Sequence, residues 1–217
     1  MTKTLIYLHG FASSPGSTKA QIFAEKLKGL AIDYQVPDLN VPDFTHLTLS
    51  AMIARTAETV QQATGPVILI GSSMGGLTAT HFMDRHADDA AKQVAHVVML
   101  APAFDFMENR DQDLGSEGLA QWRETGWLET YHYAPQTQGR IHYGLVENIQ
   151  QYDSYDVRFS TPVTIFHGKN DTSVNYQQSE RFAADRPNVT LHLLNSDHSL
   201  LDQIDFIWDH IRRICGL

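Results

Sequence analysis

Short apolar runs recur along the chain at residues 4–8, 32–36, 67–70, 94–100, 163–166 and 189–194. Most are nearly continuous in Val, Ile, Leu and other apolar residues, the pattern of strands buried on both faces rather than on one. Helical spacing separates them. Ile22, Phe23, Leu27 and Leu30 share one helix face after the first run, with Thr18 and Gln21 spaced as a capping box. Further helices are predicted over 47–63 and 175–184. A last one runs over 199–215, where Leu200, Ile204, Ile207, Trp208 and Ile211 recur at helical intervals. Buried strands alternating with helices predict an α/β fold, a mostly parallel sheet with helices on both faces, joined by right-handed crossovers. No unit of 20 to 50 residues repeats.

The alternation breaks once, between residues 103 and 160, a span too long for a connection and too aromatic for disorder. It holds Trp122, Trp127, Tyr131, Tyr133, Tyr143, Tyr152 and Tyr155, and predicts a small helical cap inserted between the fourth and fifth strands. Most of these rings are expected to form the cap's own core, and a few to face a substrate cavity.

Composition narrows the setting. A chain of 217 residues with 42% hydrophobic residues is expected to be one globular domain, 1–217, with a sizeable core. No apolar run approaches the eighteen residues of a membrane span. Met1-Thr2-Lys3 leads straight into the first apolar run without the pattern of a secretory signal, and Cys215 is alone; both fit a cytoplasmic location. A net charge of −9 without a Lys/Arg cluster argues against nucleic acid and anionic membrane surfaces as partners.

Gly71-Ser72-Ser73-Met74-Gly75 follows the third apolar run directly, and a helical segment around Leu77, Phe82 and Met83 follows it. A G-x-S-x-G pentapeptide between strand and helix holds its central serine on a sharp turn with the hydroxyl presented. Glycines at 71 and 75 permit the close approach of strand and helix that such a turn needs. Ser73 is the candidate nucleophile. His9-Gly10-Phe11 ends the first strand, where a loop is able to aim the Phe11 backbone N–H at an oxyanion; the Met74 N–H is the second donor. His9 itself falls too early for a catalytic order and is assigned a structural role. His167-Gly168-Lys169-Asn170-Asp171 follows the fifth strand and Ser196-Asp197-His198 the sixth. Ser73, Asp171 and His198 then lie in the order nucleophile, acid, base, each in a loop after a strand, where open parallel sheets bind ligands. Asp105, after the fourth strand, competes with Asp171 for the acid.

Other chemistries find no pattern. H-E-x-x-H, a phosphate loop and a dinucleotide fingerprint are absent, so no metal and no cofactor is expected. Asp111-Gln112-Asp113-Leu114-Gly115 has the start of a calcium loop, but Trp122 stands where the closing Glu belongs; an acidic surface loop is the expectation.

With these motifs the chain resembles the α/β-hydrolase superfamily, and within it the small cytoplasmic serine esterases that open with a Y-L-H-G-F-x-S-S-P-like segment, matched here by Tyr7-Leu8-His9-Gly10-Phe11-Ala12-Ser13-Ser14-Pro15. The resemblance implies a Ser73–Asp171–His198 triad with Phe11 and Met74 as oxyanion donors. It implies a sheet that lacks the N-terminal antiparallel hairpin of larger members, with strand order 2-1-3-4-5-6. The function implied is hydrolysis of carboxylic esters through an acyl-enzyme. An acyl-thioesterase uses the same triad, and a non-catalytic ligand-binding relative is the reading from another class.

Overall fold

The computed structural model describes residues 2–132 and 137–217. The six predicted runs become β1 (Lys3–Leu8), β2 (Ile32–Gln35), β3 (Val67–Ser72), β4 (Val94–Leu100), β7 (Val163–Gly168) and β8 (Val189–Leu194). They form one sheet in the order β2-β1-β3-β4-β7-β8, every neighbouring pair parallel. This is the order implied by the resemblance. The helices between them are α1 (Thr18–Leu27), α2 (Leu49–Gln62), α3 (Met74–Arg85), α6 (Gln177–Ala183) and α7 (Ile204–Cys215).

Alternation within each strand splits the core into two. Leu5, Tyr7, Ile68, Ile70, Val98 and Leu100 face α1 and α7, whose Phe23, Leu27, Ile207 and Ile211 are buried against them. Ile6, Leu8, Val67, Leu69, Val97 and Met99 face the other way, onto Met52, Ile53, Leu77 and Phe82 of α2 and α3. A strand buried on both sides has no polar face to offer, which is why these runs read as continuous rather than alternating. The chain winds outward from β1 in one direction and from β3 in the other. Their C-terminal ends, Leu8 opposite Gly71, therefore form the crevice at the reversal point.

Two local expectations change. Ser17, not Thr18, precedes the first helical residue, and its side chain makes no capping bond. Its N–H donates to Ser14 O at 3.0 Å, which closes the turn through Pro15 and Gly16 at Ser17, and the helix starts one residue earlier than the capping box assumes. Gly29, at φ 79°, ends the helical face before Leu30, which is 37% exposed.

Between β4 and β7 stand α4 (Phe106–Thr125), the antiparallel pair β5 (Trp127–His132) and β6 (Thr137–His142), and α5 (Gly144–Ile149). The insertion is thus helical in part, with a hairpin that the helical expectation did not contain. Trp127-Leu128-Glu129-Thr130-Tyr131-His132 carries the β-branched and aromatic residues favoured in strands. Residues 111–115 are not a surface loop: they lie within α4, kinked at Gly115. Trp122 is 1% exposed and donates from Nε1 to Ile141 O at 3.1 Å, in the same core cluster as α2 and α3. Tyr133 lies outside the described residues.

Candidate active site

Gly71 and Gly75 shape the turn that presents Ser73. A Cβ on Gly75 would lie 2.1 Å from Leu8 O, and one on Gly71 2.4 Å from Gly75 O. Neither contact is possible, so only glycine lets α3 start this close to β1 and β3. Ser73 takes φ 53°, a left-handed value unusual for a residue with a side chain. Its N–H donates to Leu100 O at 2.9 Å, and its carbonyl accepts from Gly76, Leu77 and Ala103. The backbone is held on every side, while Ser73 Oγ has no hydrogen-bond partner among the described residues. Met74 is the first residue of α3, so its N–H has no acceptor within the helix. Gly10 packs against Ser73 so closely that a Cβ there would sit 3.3 Å from Ser73 Cβ, which sets Phe11 beside the turn.

The loops after β7 and β8 meet through a second close approach. A Cβ on Gly168 would lie 2.3 Å from Ser196 O. Asn170 N–H donates to Ser196 O and Lys169 N–H to Leu194 O, at 3.0 and 2.8 Å. Across that seam His198 Nδ1 lies 2.7 Å from Asp171 Oδ2. The Asp171 side chain is 0% exposed and that of His198 31%. Asp171 Oδ1 accepts the N–H groups of Ser173 and Val174, both at 2.8 Å. Burial works to raise the Asp171 carboxyl, but hydrogen bonds from His167 and His198 outweigh it and hold the group well below the usual carboxylate range. It is an anion that receives four donors.

One of those donors is His167, 0% exposed, whose Nε2 lies 3.0 Å from Val174 O and 3.2 Å from Asp171 Oδ2. Its Nδ1 lies 2.7 Å from Ser179 Oγ. Nε2 faces two acceptors and must carry the proton; Nδ1 accepts from the serine. Lys19 of α1 donates to Ser199 O at 2.9 Å and ties the His198 loop to that helix. Burial pulls its pKa down to about 8, against the attraction of Asp171 and Asp197.

Asp105 is turned elsewhere. Its Oδ2 accepts from Tyr155 OH at 2.6 Å and lies 3.9 Å from Arg181 Nη1. His9 is 2% exposed and accepts the Leu39 N–H on Nε2 at 3.0 Å, which anchors the start of the connection after β2.

Two cavities flank Ser73 and His198. The first, about 270 Å³, is walled by Tyr7, Gly10, Lys19 and several hydroxyls, including Ser13, Ser17 and Ser199. The second, about 250 Å³, is walled by Met74, Phe106, Asn109, Arg110, Thr130 and Val174. Phe11 borders both. Of the cap aromatics only Phe106 reaches either; among the described residues none of the tryptophans or tyrosines of 103–160 does. Among the described residues no group of three His, Cys, Asp or Glu is arranged to hold a metal ion. None of the described helices is long and apolar enough to cross a membrane.

A strand–Ser73–helix turn, a buried carboxylate on an imidazole and the order β2-β1-β3-β4-β7-β8 define an α/β-hydrolase fold, and the profile of one family within it matches residues 4–215. The chain belongs to the uncharacterised protein family UPF0227. This UPF0227 chain is 24% identical over 214 residues to the mitochondrial palmitoyl-protein thioesterase ABHD10 of Bos taurus, covering 93% of the chain and 68% of the relative. Its fold is similar to that of alpha/beta hydrolase domain-containing protein 10 from mouse, at TM-score 0.78 and 21% identity, covering 98% and 89% of the two chains. It is similar as well to a monoacylglycerol lipase of Paleococcus ferrophilus, at TM-score 0.73 and 16% identity over 98% and 94%.

All five residues singled out in the sequence converge on these cavities or the loops that border them. Four others belong to the same region of the UPF0227 chain without a motif of their own: Lys19, His167, Asn109 and Arg110. His167 stood in plain view in the His167–Asp171 segment, but its spacing says nothing about which way the ring faces. Asn109 and Arg110 sit in a polar stretch that reads as surface until α4 is laid over Phe11.

Proposed function

We propose that this chain is a serine hydrolase that cleaves carboxylic esters of small molecules through an acyl-enzyme. Residues 1–217 act as one hydrolase unit with 103–160 as its cap, and the cytoplasm is the proposed compartment. The observation that carries the reading is the 2.7 Å bond between His198 Nδ1 and the buried Asp171 carboxylate, beside the cavities that Ser73 lines. With Nδ1–H held by Asp171, His198 Nε2 is the basic nitrogen and takes the Ser73 proton as Oγ attacks the ester carbonyl carbon. The negative charge that forms on the carbonyl oxygen is met by the N–H groups of Phe11 and Met74. His198 returns the proton to the leaving alcohol, and water repeats the sequence on the acyl-enzyme. Asp171 stays ionised throughout, because its four donors favour the charged form.

A thioester substrate is the second reading, supported by the similarity to a relative named as a palmitoyl-protein thioesterase. The acyl-enzyme is common to both and only the leaving group differs. Reaction with a fluorophosphonate followed by peptide mapping tests the shared part: a single adduct is expected on Ser73. Ser73→Ala should lose labelling and turnover, while Ser72→Ala, altering a side chain only 4% exposed, should keep most of both. An adduct on Ser72, or none on a folded protein, would sink the assignment. Matched ester and thioester pairs with one acyl chain then separate the two readings by their kcat/KM ratio.

A further inference from the structure

The second cavity contains a feature that the triad does not use. Gln178 on α6 receives the Asp105 N–H on Oε1 at 3.1 Å, so its Nε2 is the donor to Asn109 Oδ1 at 2.8 Å. That chain of bonds fixes which end of the Asn109 amide is which. Its Nδ2 is left buried and, among the described residues, without a partner, in a residue only 1% exposed. Arg110 repeats the pattern one residue on. Its Nε is buried and unpartnered among the described residues, while Nη2 is held 2.6 Å from Asp113. The guanidinium carbon lies 5.4 and 5.5 Å from the ring centres of Phe11 and Phe106, which set the guanidinium along the cavity wall. Buried polar groups are nearly always satisfied, and an orphan donor costs the water it gave up. Two adjacent orphan donors, on residues that line a cavity shared with Ser73, Met74 and His198, call for an acceptor from that cavity. No carboxylate stands among the residues that line it.

We infer that this cavity takes an anionic oxygen group of the substrate, a carboxylate or phosphate, bound by the Arg110 guanidinium and the Asn109 amide N–H. A planar guanidinium pairs with such groups through two parallel N–H···O bonds, and its charge strengthens both. The inference rests on the serine-hydrolase reading and narrows its substrate class to esters or thioesters that carry a negative charge near the scissile carbonyl. The charge belongs either to the acyl portion or to the leaving group, and two substrate pairs distinguish them. Mono-4-nitrophenyl adipate against 4-nitrophenyl hexanoate tests the acyl side. 4-Acetoxybenzoate against its methyl ester tests the leaving side.

In one pair the anion should be favoured about tenfold or more in kcat/KM, the scale of one or two hydrogen bonds to a charged group. Arg110→Gln should lower that anion-to-neutral ratio about tenfold. Asn109→Asp keeps the acceptor for Gln178 but puts a carboxylate oxygen in place of the free N–H, and should turn the preference toward the neutral substrate. Equal rates within both pairs, with Ser73 still labelled by a fluorophosphonate, would overturn the anion site and leave the hydrolase reading standing. A preference that survives both variants would overturn it too and move the charge recognition to Lys19 in the first cavity. Absence of turnover and of Ser73 labelling would remove the hydrolase reading and this inference with it.

Discussion

Replacing Asp171 by Asn tests the proposed triad most directly, because the structure dictates how the amide must sit. Ser173 and Val174 both point N–H groups at one oxygen of the side chain, at 2.8 Å each. An amide nitrogen turned that way would face two donors, so the Asn oxygen takes that side and the NH₂ turns to His198 and His167. There the NH₂ becomes a donor. His198 answers by accepting on Nδ1 and carrying its proton on Nε2, the tautomer that has no lone pair for Ser73. An equivalent change in a serine protease lowers turnover by about 10⁴, or about 5 kcal/mol of transition-state stabilisation, and the same loss is expected here. Asp105→Asn changes only the contact with Tyr155 and Arg181 and should stay within about tenfold, the scale of one hydrogen bond. The assay is kcat/KM on a chromogenic ester together with the rate of fluorophosphonate labelling at Ser73, and urea unfolding confirms that both variants fold. A loss below tenfold at Asp171, or a large one at Asp105, would refute the assignment of the acid.

Other expectations follow from the same contacts. Gly75→Ala forces a methyl group into the Leu8 carbonyl and should cost at least about 3 kcal/mol, or fail to fold, as read by denaturant midpoint; an unchanged midpoint would mean that α3 does not start this close to β1. Ser179→Ala removes the donor to His167 Nδ1, freeing that ring to turn its unprotonated nitrogen toward Asp171. It should lower kcat about tenfold with little change in KM, the scale of one hydrogen bond to a charged group, whereas a change in KM alone would mean a mere packing role. Burial, with a smaller push from Arg85, lowers the pKa of His81 to about 4. The unfolded chain therefore binds a proton below about pH 6.5 that the native state refuses, and stability falls from there down to about pH 4. His96, His132 and His192, lowered by burial, add in the same direction. His81→Gln should flatten that slope in urea midpoints measured between pH 7.5 and 4.5, and a slope parallel to that of the unaltered protein would be the contrary result.

The sequence by itself determined the frame of this protein. Six apolar runs with helices between them permit little besides a parallel sheet covered on both faces, since strands without a polar side must be buried twice. The Gly71–Gly75 pentapeptide was readable for a similarly local reason: a serine between two glycines at a strand end has few conformations, and the observed one needs glycine at both positions. The meeting of Asp171 with His198 was legible by position, because loops after strands of a parallel sheet gather at one edge. What stayed hidden depends on side chains from distant segments meeting. Asp105 and Asp171 both follow strands, and only the folded chain turns one carboxylate to Tyr155 and the other to His198. The cap hairpin escaped because alternation over six residues competes poorly with the helical pattern on either side of it. Asn109 and Arg110 belong to no motif in the sequence. Their burial comes from α4 lying over Phe11, 99 residues before Arg110, and so from tertiary packing alone, which neither motif nor period announces.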